Sequence, residues 1–208
     1  FFSSSPLVGE MVQLFSVTIY KWRQEKPIVL TSAFELGSFN IFTRGSAKEV
    51  LQFVGSQVVS HSKPGDRHAV LHKEHMCHVI VKHDHLAAAV CTDEEYPQRV
   101  AQSLMLKCID GFANVHGEKW KQVESNTDLP TPQLAALLAK YQNPEEADDV
   151  AKINKDLGET KEILIKSIDQ LLERGEKLDD LMDSAAELSY QSKAFMKTAE
   201  GGNCCSLL

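Results

Sequence analysis

Arg174 stands where a coiled coil takes a leucine, and the ladder around it constrains this chain more than any other feature. Strides of four and three lead forward from it to Leu178, Leu181, Ala185, Leu188, Ser192, Phe195 and Ala199. They lead back to Leu171, Ser167, Leu164, Thr160, Leu157, Ile153 and Val150. Most of these residues are apolar, and those between them are mostly polar or charged. A stride averaging about 3.5 residues keeps one seam facing partner helices as they supercoil. A guanidinium in that seam costs desolvation energy unless partner helices offer acceptors, and such a group is best attested as a register and partner-choice device. The plainer reading is an amphipathic helix packed on its own domain, with Arg174 reaching out to solvent.

The remaining chain sets the context. Its net charge of -7 argues against nucleic-acid binding, which needs an excess of Lys and Arg. No stretch approaches the roughly 20 apolar residues of a membrane-spanning helix. Five cysteines, two of them adjacent near the end, do not form a disulfide framework and fit a reducing, cytosol-facing location. Residues 1–10 are unlike the rest of the chain and read as a leader, with Met11 as the start.

From residue 11 the pattern is that of an α+β domain. Residues 11–22 and 28–34 read as paired strands, and 43–61 as a helix with Ala47, Val50, Leu51, Val54 and Val58 on one stripe. Strands are expected over 67–71, 76–82 and 86–92, with a turn at His83-Asp84. A helix opening at Glu95-Tyr96-Pro97 carries Val100, Leu104, Cys108, Ile109 and Phe112, and a short helix spans 132–141. The order implies a five-stranded, mostly antiparallel sheet flanked by helices over 11–142. Gln142-Asn143-Pro144 marks a boundary, beyond which 147–200 carries the ladder. Fully helical, it would be a rod of about 75 Å. Gly158 and Gly175 interrupt it, so the segment is expected to order only against its own domain or partner helices.

Residues 201–208 end in Cys204-Cys205-Ser206-Leu207-Leu208. Cys205 fits a prenylation box, and Cys204 is placed for a second lipid such as palmitoyl, which firm anchoring requires. His72, His75 and His78 are spaced by three and tempt a zinc reading. Residues three apart on a strand face opposite sides, so no metal site is expected, and the six histidines His68, His72, His75, His78, His83 and His85 read mostly as solvent-facing strand and turn residues. Cys77, Cys91 and Cys108 sit in apolar runs and read as core residues. No catalytic arrangement emerges, so no enzyme and no cofactor is expected.

The segment from Leu171 to Leu181, LLERGEKLDDL, resembles the centre of an R-SNARE motif. Tyr96-Pro97-x-Arg99, Lys140-Tyr-Gln-Asn-Pro144 and Gln191-Ser-Lys-Ala-Phe195, with the paired cysteines, narrow the likeness to the prenylated, longin-domain (YKT-type) R-SNAREs of the synaptobrevin-like family. Members usually end in Met where this chain has Leu208. The resemblance implies a longin, profilin-like domain over 11–142, an R-SNARE helix over 147–200 and a lipidation tail. It implies an ionic layer formed by Arg174 with three glutamine-bearing SNARE helices in a four-helix bundle that drives vesicle-membrane fusion. It implies recruitment by lipid to the cytoplasmic face of Golgi, ER, endosome or vacuole. It also implies a closed state in which the domain covers its own SNARE segment and lipid, with Val50 and Phe53 at the contact. The competing function is a lipidated coiled-coil adaptor that regulates trafficking without driving fusion. A phosphate on Ser192, at a seam position, would oppose bundle assembly.

Overall fold

The structure, a computed structural model, describes residues 13–147, 163–172 and 175–200. Residues 1–10, expected to be a leader, the seam residues Val150, Ile153 and Leu157, Arg174, the tail cysteines Cys204 and Cys205, and the side chain of Ala199 lie outside the described residues.

Runs rich in β-branched and aromatic residues build β1 (Leu14–Lys21) and β2 (Ile28–Phe34), which pair antiparallel. After α1 (Arg44–Ser60) come β3 (Arg67–His72), β4 (His75–Val81) and β5 (Leu86–Asp93). The turn expected at His83-Asp84 is present, with His85 at a φ of 73°. Helix α2 (Gln98–His116) begins after Pro97, which serves as its extended N-cap rather than its first helical residue. A 3-10 turn at Lys119–Gln122 buries Trp120 and precedes α3 (Pro132–Lys140) and the single turn α4 (Pro144–Ala147).

The sheet corrects the five-stranded expectation in one respect. Its order is β2-β1-β5-β4-β3-β6, and the sixth strand, β6 (Leu164–Ser167), comes from the ladder segment. It pairs parallel with β3, while the other five strands are antiparallel to one another. An open edge strand presents unpaired backbone groups; β6 covers the edge that β3 would otherwise leave open and is itself the outer strand. Residues 126–129 run along β2, where Asn126 Oδ1 accepts from Val29 N–H at 3.0 Å and Leu129 N–H donates to the Leu30 carbonyl at 2.7 Å.

Two cores flank the sheet. On one face α2 and α3 bury Leu104, Met105, Phe112, Leu134 and Tyr141 over β1 and β5. Two of the motifs that carried the family likeness are structural ties here. Tyr96 Oη donates to the Tyr141 carbonyl at 2.7 Å, and Gln142 Nε2 donates to the Leu14 carbonyl at 2.6 Å, which fixes the start of β1. On the other face α1 lies close to β1. Gly55 permits that approach, since a Cβ there would stand 2.5 Å from the Tyr20 hydroxyl.

His75, His83 and His85 are exposed as expected, and His72 is half-buried, but two of the histidines are not solvent-facing. His68 and His78 are buried, and His72 and His75 face each other across the β3–β4 register. Thr92 Oγ1 gives its proton to the Asp93 carbonyl, so His78 Nε2–H donates to Thr92 Oγ1 at 3.2 Å. Among the described residues no group of His, Cys, Asp and Glu is placed to hold a metal ion.

Burial lowers the His78 imidazole to about 4. Above pH 6.5 the side chain is neutral whether the chain is folded or not. Between pH 6.5 and 4 the unfolded chain takes up a proton that the folded one refuses, so stability falls with pH. The loss amounts to about 3 kcal/mol. Urea unfolding of wild type and His78→Gln at pH 7 and pH 4.5 should show a smaller acid loss in the variant. Parallel losses would mean that the site does not exclude the charge.

Candidate functional site

The ladder segment returns onto the face of α1 and the outer edge of β3. Strand β6 aligns His68 with Leu164 and Leu71 with Ser167. Ser167 then starts a helix by a reciprocal capping box with Gln170, a local sequence signal that ends the strand. The turn α5 (Ile168–Leu171) drops Ile168 and Leu171 into the groove. Gly175, at a φ of 101°, adopts a backbone conformation closed to most side chains, and the chain re-enters as α6 (Leu178–Ser184). The last described element, α7 (Tyr190–Glu200), packs along α1. Over these residues the segment is therefore a strand and three short helices, not one rod.

The residues that would face partner helices face α1 and the sheet instead. Leu171, Leu178, Leu188 and Ser192 are buried, and Leu181, Ala185 and Phe195 are half-buried. Leu164, on the edge strand, is 58% exposed. The buried stripe also takes in Ile168, Leu172, Met182 and Met196, which lie off the seam. Burying one such side chain is worth about 1.5–3 kcal/mol. Ordering each residue costs about 1–2 kcal/mol and opposes that gain.

Val50 and Phe53 both belong to this contact. Phe53 is 3% exposed and shares a cluster with Leu178, Met182 and Leu188. Val50, half-buried, lines an apolar cavity of about 380 Å³ with Leu51, Val54, Ile168, Phe195 and Met196.

A polar lock closes the far side. Glu49, one turn before Phe53, accepts from Ser189 N–H at 2.9 Å and from Ser192 Oγ–H at 2.7 Å through one carboxylate oxygen. The Ser189 amide, then the Ser192 hydroxyl, hold this carboxyl below the usual carboxylate range. His61 lies 3.5 Å from Glu176, and Lys26 lies 3.8 Å from Glu187. Such surface pairs contribute little alone. Sequence reasoning missed Glu49 and Ser189. Their only local signal is the Ser189-x-x-Ser192 spacing, which puts both hydroxyls at the start of α7.

The comparisons with known proteins agree with this geometry. The longin, or regulated-SNARE-like, family model matches residues 36–136, and the synaptobrevin model matches 149–203. The putative synaptobrevin homolog YKT6 of Dictyostelium discoideum is 43% identical over 198 residues, covering 93% of this chain and 98% of its own length. The chain belongs to the YKT6-type longin R-SNARE family. VAMP-like protein YKT61 of Arabidopsis thaliana is 39% identical over 88% of the chain and 92% of its own length. Synaptobrevin homolog ykt6 of Schizosaccharomyces pombe is 36% identical over 95% of the chain and its own entire length, 100%. The family is non-enzymatic, with roles in vesicle trafficking, and its members assemble with other SNAREs. Among the described residues no helix is long and apolar enough to cross a membrane.

Proposed function

We propose that this longin R-SNARE contributes one Arg174-centred helix to a four-helix bundle with three glutamine-bearing SNARE helices, and that zippering of the bundle drives vesicle-membrane fusion. The domain holds the motif shut until partners or membrane compete for it. The observation that carries this reading is the double use of one set of side chains. Leu171, Leu178, Leu188 and Ser192 pack on the domain and also lie on the seam. A seam position cannot face α1 and partner helices at once, so closure and assembly exclude each other. Each ligand shifts the balance only by its differential affinity for the two states.

Lipids on Cys204 and Cys205 supply the membrane attachment, on the cytoplasmic face of endomembranes such as Golgi, ER, endosome or vacuole. An exposed seam with a prenyl chain would aggregate in water. The apolar cavity beside Phe195 and Met196, near the start of the tail, supports a lipid sheltered in the closed state.

Mixing the full chain with sets of three candidate glutamine-bearing SNARE helices tests the function. One set should yield an SDS-resistant four-chain complex. In that complex Arg174→Leu should leave the melting temperature equal or higher while admitting non-cognate helices at least tenfold more readily, because an apolar seam loses its partner check. Failure with every set would favour a lipidated adaptor. A variant that kept full selectivity would remove Arg174 from the ionic layer.

A further inference from the structure

The floor of the groove holds two thiols that the SNARE function does not use. Cys77 on β4 and Cys91 on β5 are direct cross-strand partners on the α1 face of the sheet. Both are free and buried. Direct antiparallel partners hold their Cα atoms about 4.5–5.5 Å apart, inside the roughly 4.4–6.8 Å window of a disulfide. Direct cross-strand partners point their side chains to the same face of a sheet, so both thiols lie side by side in the buried cluster under α1. Both also line the apolar cavity whose other walls include Ile168, Phe195 and Met196 of the returning segment.

We propose that Cys77 and Cys91 form a reversible dithiol–disulfide couple whose oxidation is gated by the returning segment. The proposal rests on the closed-state reading above. With the segment in place, Ile168, Phe195 and Met196 wall one side of the cavity that leads to the couple, and both thiols are buried. With it lifted, the cavity opens.

The chemistry balances with a hydroperoxide as oxidant. The thiolate forms on Cys91, which the Cys77 thiol and, more weakly, the Ser16 hydroxyl stabilise against the cost of burial. Its sulfur attacks one peroxide oxygen, the O–O bond breaks, and hydroxide leaves and takes up the proton lost by Cys91. The Cys91 sulfenic acid is then attacked by Cys77. The S–S bond forms, the S–O bond breaks, and the thiol proton departs with the oxygen as water. Two thiols and one hydrogen peroxide become one disulfide and two waters, and an exogenous dithiol reverses the change. Cys77, pushed up by the hydrogen bond it gives and by burial, keeps its proton until that second step.

The test uses the full chain carrying Cys204→Ser and Cys205→Ser, so that the tail cannot cross-link. Hydrogen peroxide is added, remaining thiols are alkylated, and peptides are mapped by mass spectrometry. The expected product is 2 Da lighter and contains a Cys77–Cys91 peptide pair. It should form at least tenfold faster when Phe53→Glu or Ser192→Asp is added to the same background. Cys77→Ser should abolish the bridge and leave Cys91 oxidised to sulfinic acid. Alkylation of both thiols after unfolding, or separate sulfinic acids at both, would overturn the couple. Equal rates in a variant whose 190–200 amides show release by hydrogen exchange would overturn the gating and leave the closed-state reading standing. Absence of release in both variants would count against that reading and the gating alike, while the bridge is still decided in the parent chain.

Discussion

Phe53→Glu detaches the returning segment from α1. The ring is buried in the cluster that joins Leu178, Met182 and Leu188 of that segment to sheet residues such as Val79 and Ala89, so its loss falls on closure as well as on the domain. Removing a buried Phe costs about 3–5 kcal/mol, and a carboxylate left in an apolar contact adds to it. At about 1.4 kcal/mol per tenfold, the share of that cost borne by closure should lower the closed population by at least tenfold and by up to about three orders of magnitude. Hydrogen exchange should speed up at amides 178–184 and 190–200, while β1 and β5 stay protected. The lipidated variant should move from cytosol to membranes in fractionation. Unchanged protection at 190–200 would mean that Phe53 does not hold the segment.

Ser192→Asp acts on the same equilibrium through charge. Ser192 is fully buried, and its hydroxyl donates to Glu49. A carboxylate there would face another carboxylate without the proton that joins them. At an effective dielectric near that of a protein surface the repulsion is on the order of 2–4 kcal/mol. Closure should weaken by about 30- to 1,000-fold at pH 7. The effect has a pH signature. Two carboxylates sharing a site raise one pKa, so lowering the pH toward 5 should neutralise one and restore closure in the variant. Glu49→Gln combined with Ser192→Asp should also recover much of it, since an amide can donate to the new carboxylate. Equal release in the single and double variants would show that the serine acts by packing alone. Position 192 is also on the seam, so the same charge should weaken the bundle. A phosphate there would oppose both states and favour a free segment.

The domain was legible because its signals are local. The β-branched and apolar run Ile28–Phe34, punctuated by Pro27, and the His83-Asp84 turn give the same boundaries in sequence and structure. The helical stripe through Ala47, Val54 and Val58 places α1 to within a residue at each end. Cys77, Cys91 and Cys108 are buried, as their apolar runs imply. Trp120 in its 3-10 turn was not legible, because a single aromatic in a polar stretch carries no period.

The ladder segment shows the limit of periodicity. A stride of 3.5 states which side chains want burial, not what buries them. Given three partner helices, the seam implies a rod. Given only its own domain, the same leucines bury against α1, and backbone hydrogen bonding goes to the edge of β3. Ser167-x-x-Gln170 and Gly175 mark the breaks, and both are visible in the sequence, yet neither outweighs a ladder fourteen steps long until the edge of β3 is known. Glu49 was hidden for a related reason. A lone acid on a helix surface has no role until the chain brings two serines to it across 140 residues. His68 and His78 fooled the alternation because the middle of β3 and nearly all of β4 are buried on both faces.

The central claim is that one seam serves two exclusive partners, and hydrogen exchange during bundle assembly tests it most directly. In the free chain the β3 amides paired with β6 and the amides of 190–200 should both be protected. On addition of the three cognate helices, protection should rise across 178–200 and fall at the outer edge of β3 at the same rate. A stable four-chain bundle that left the β3–β6 protection unchanged would contradict the account.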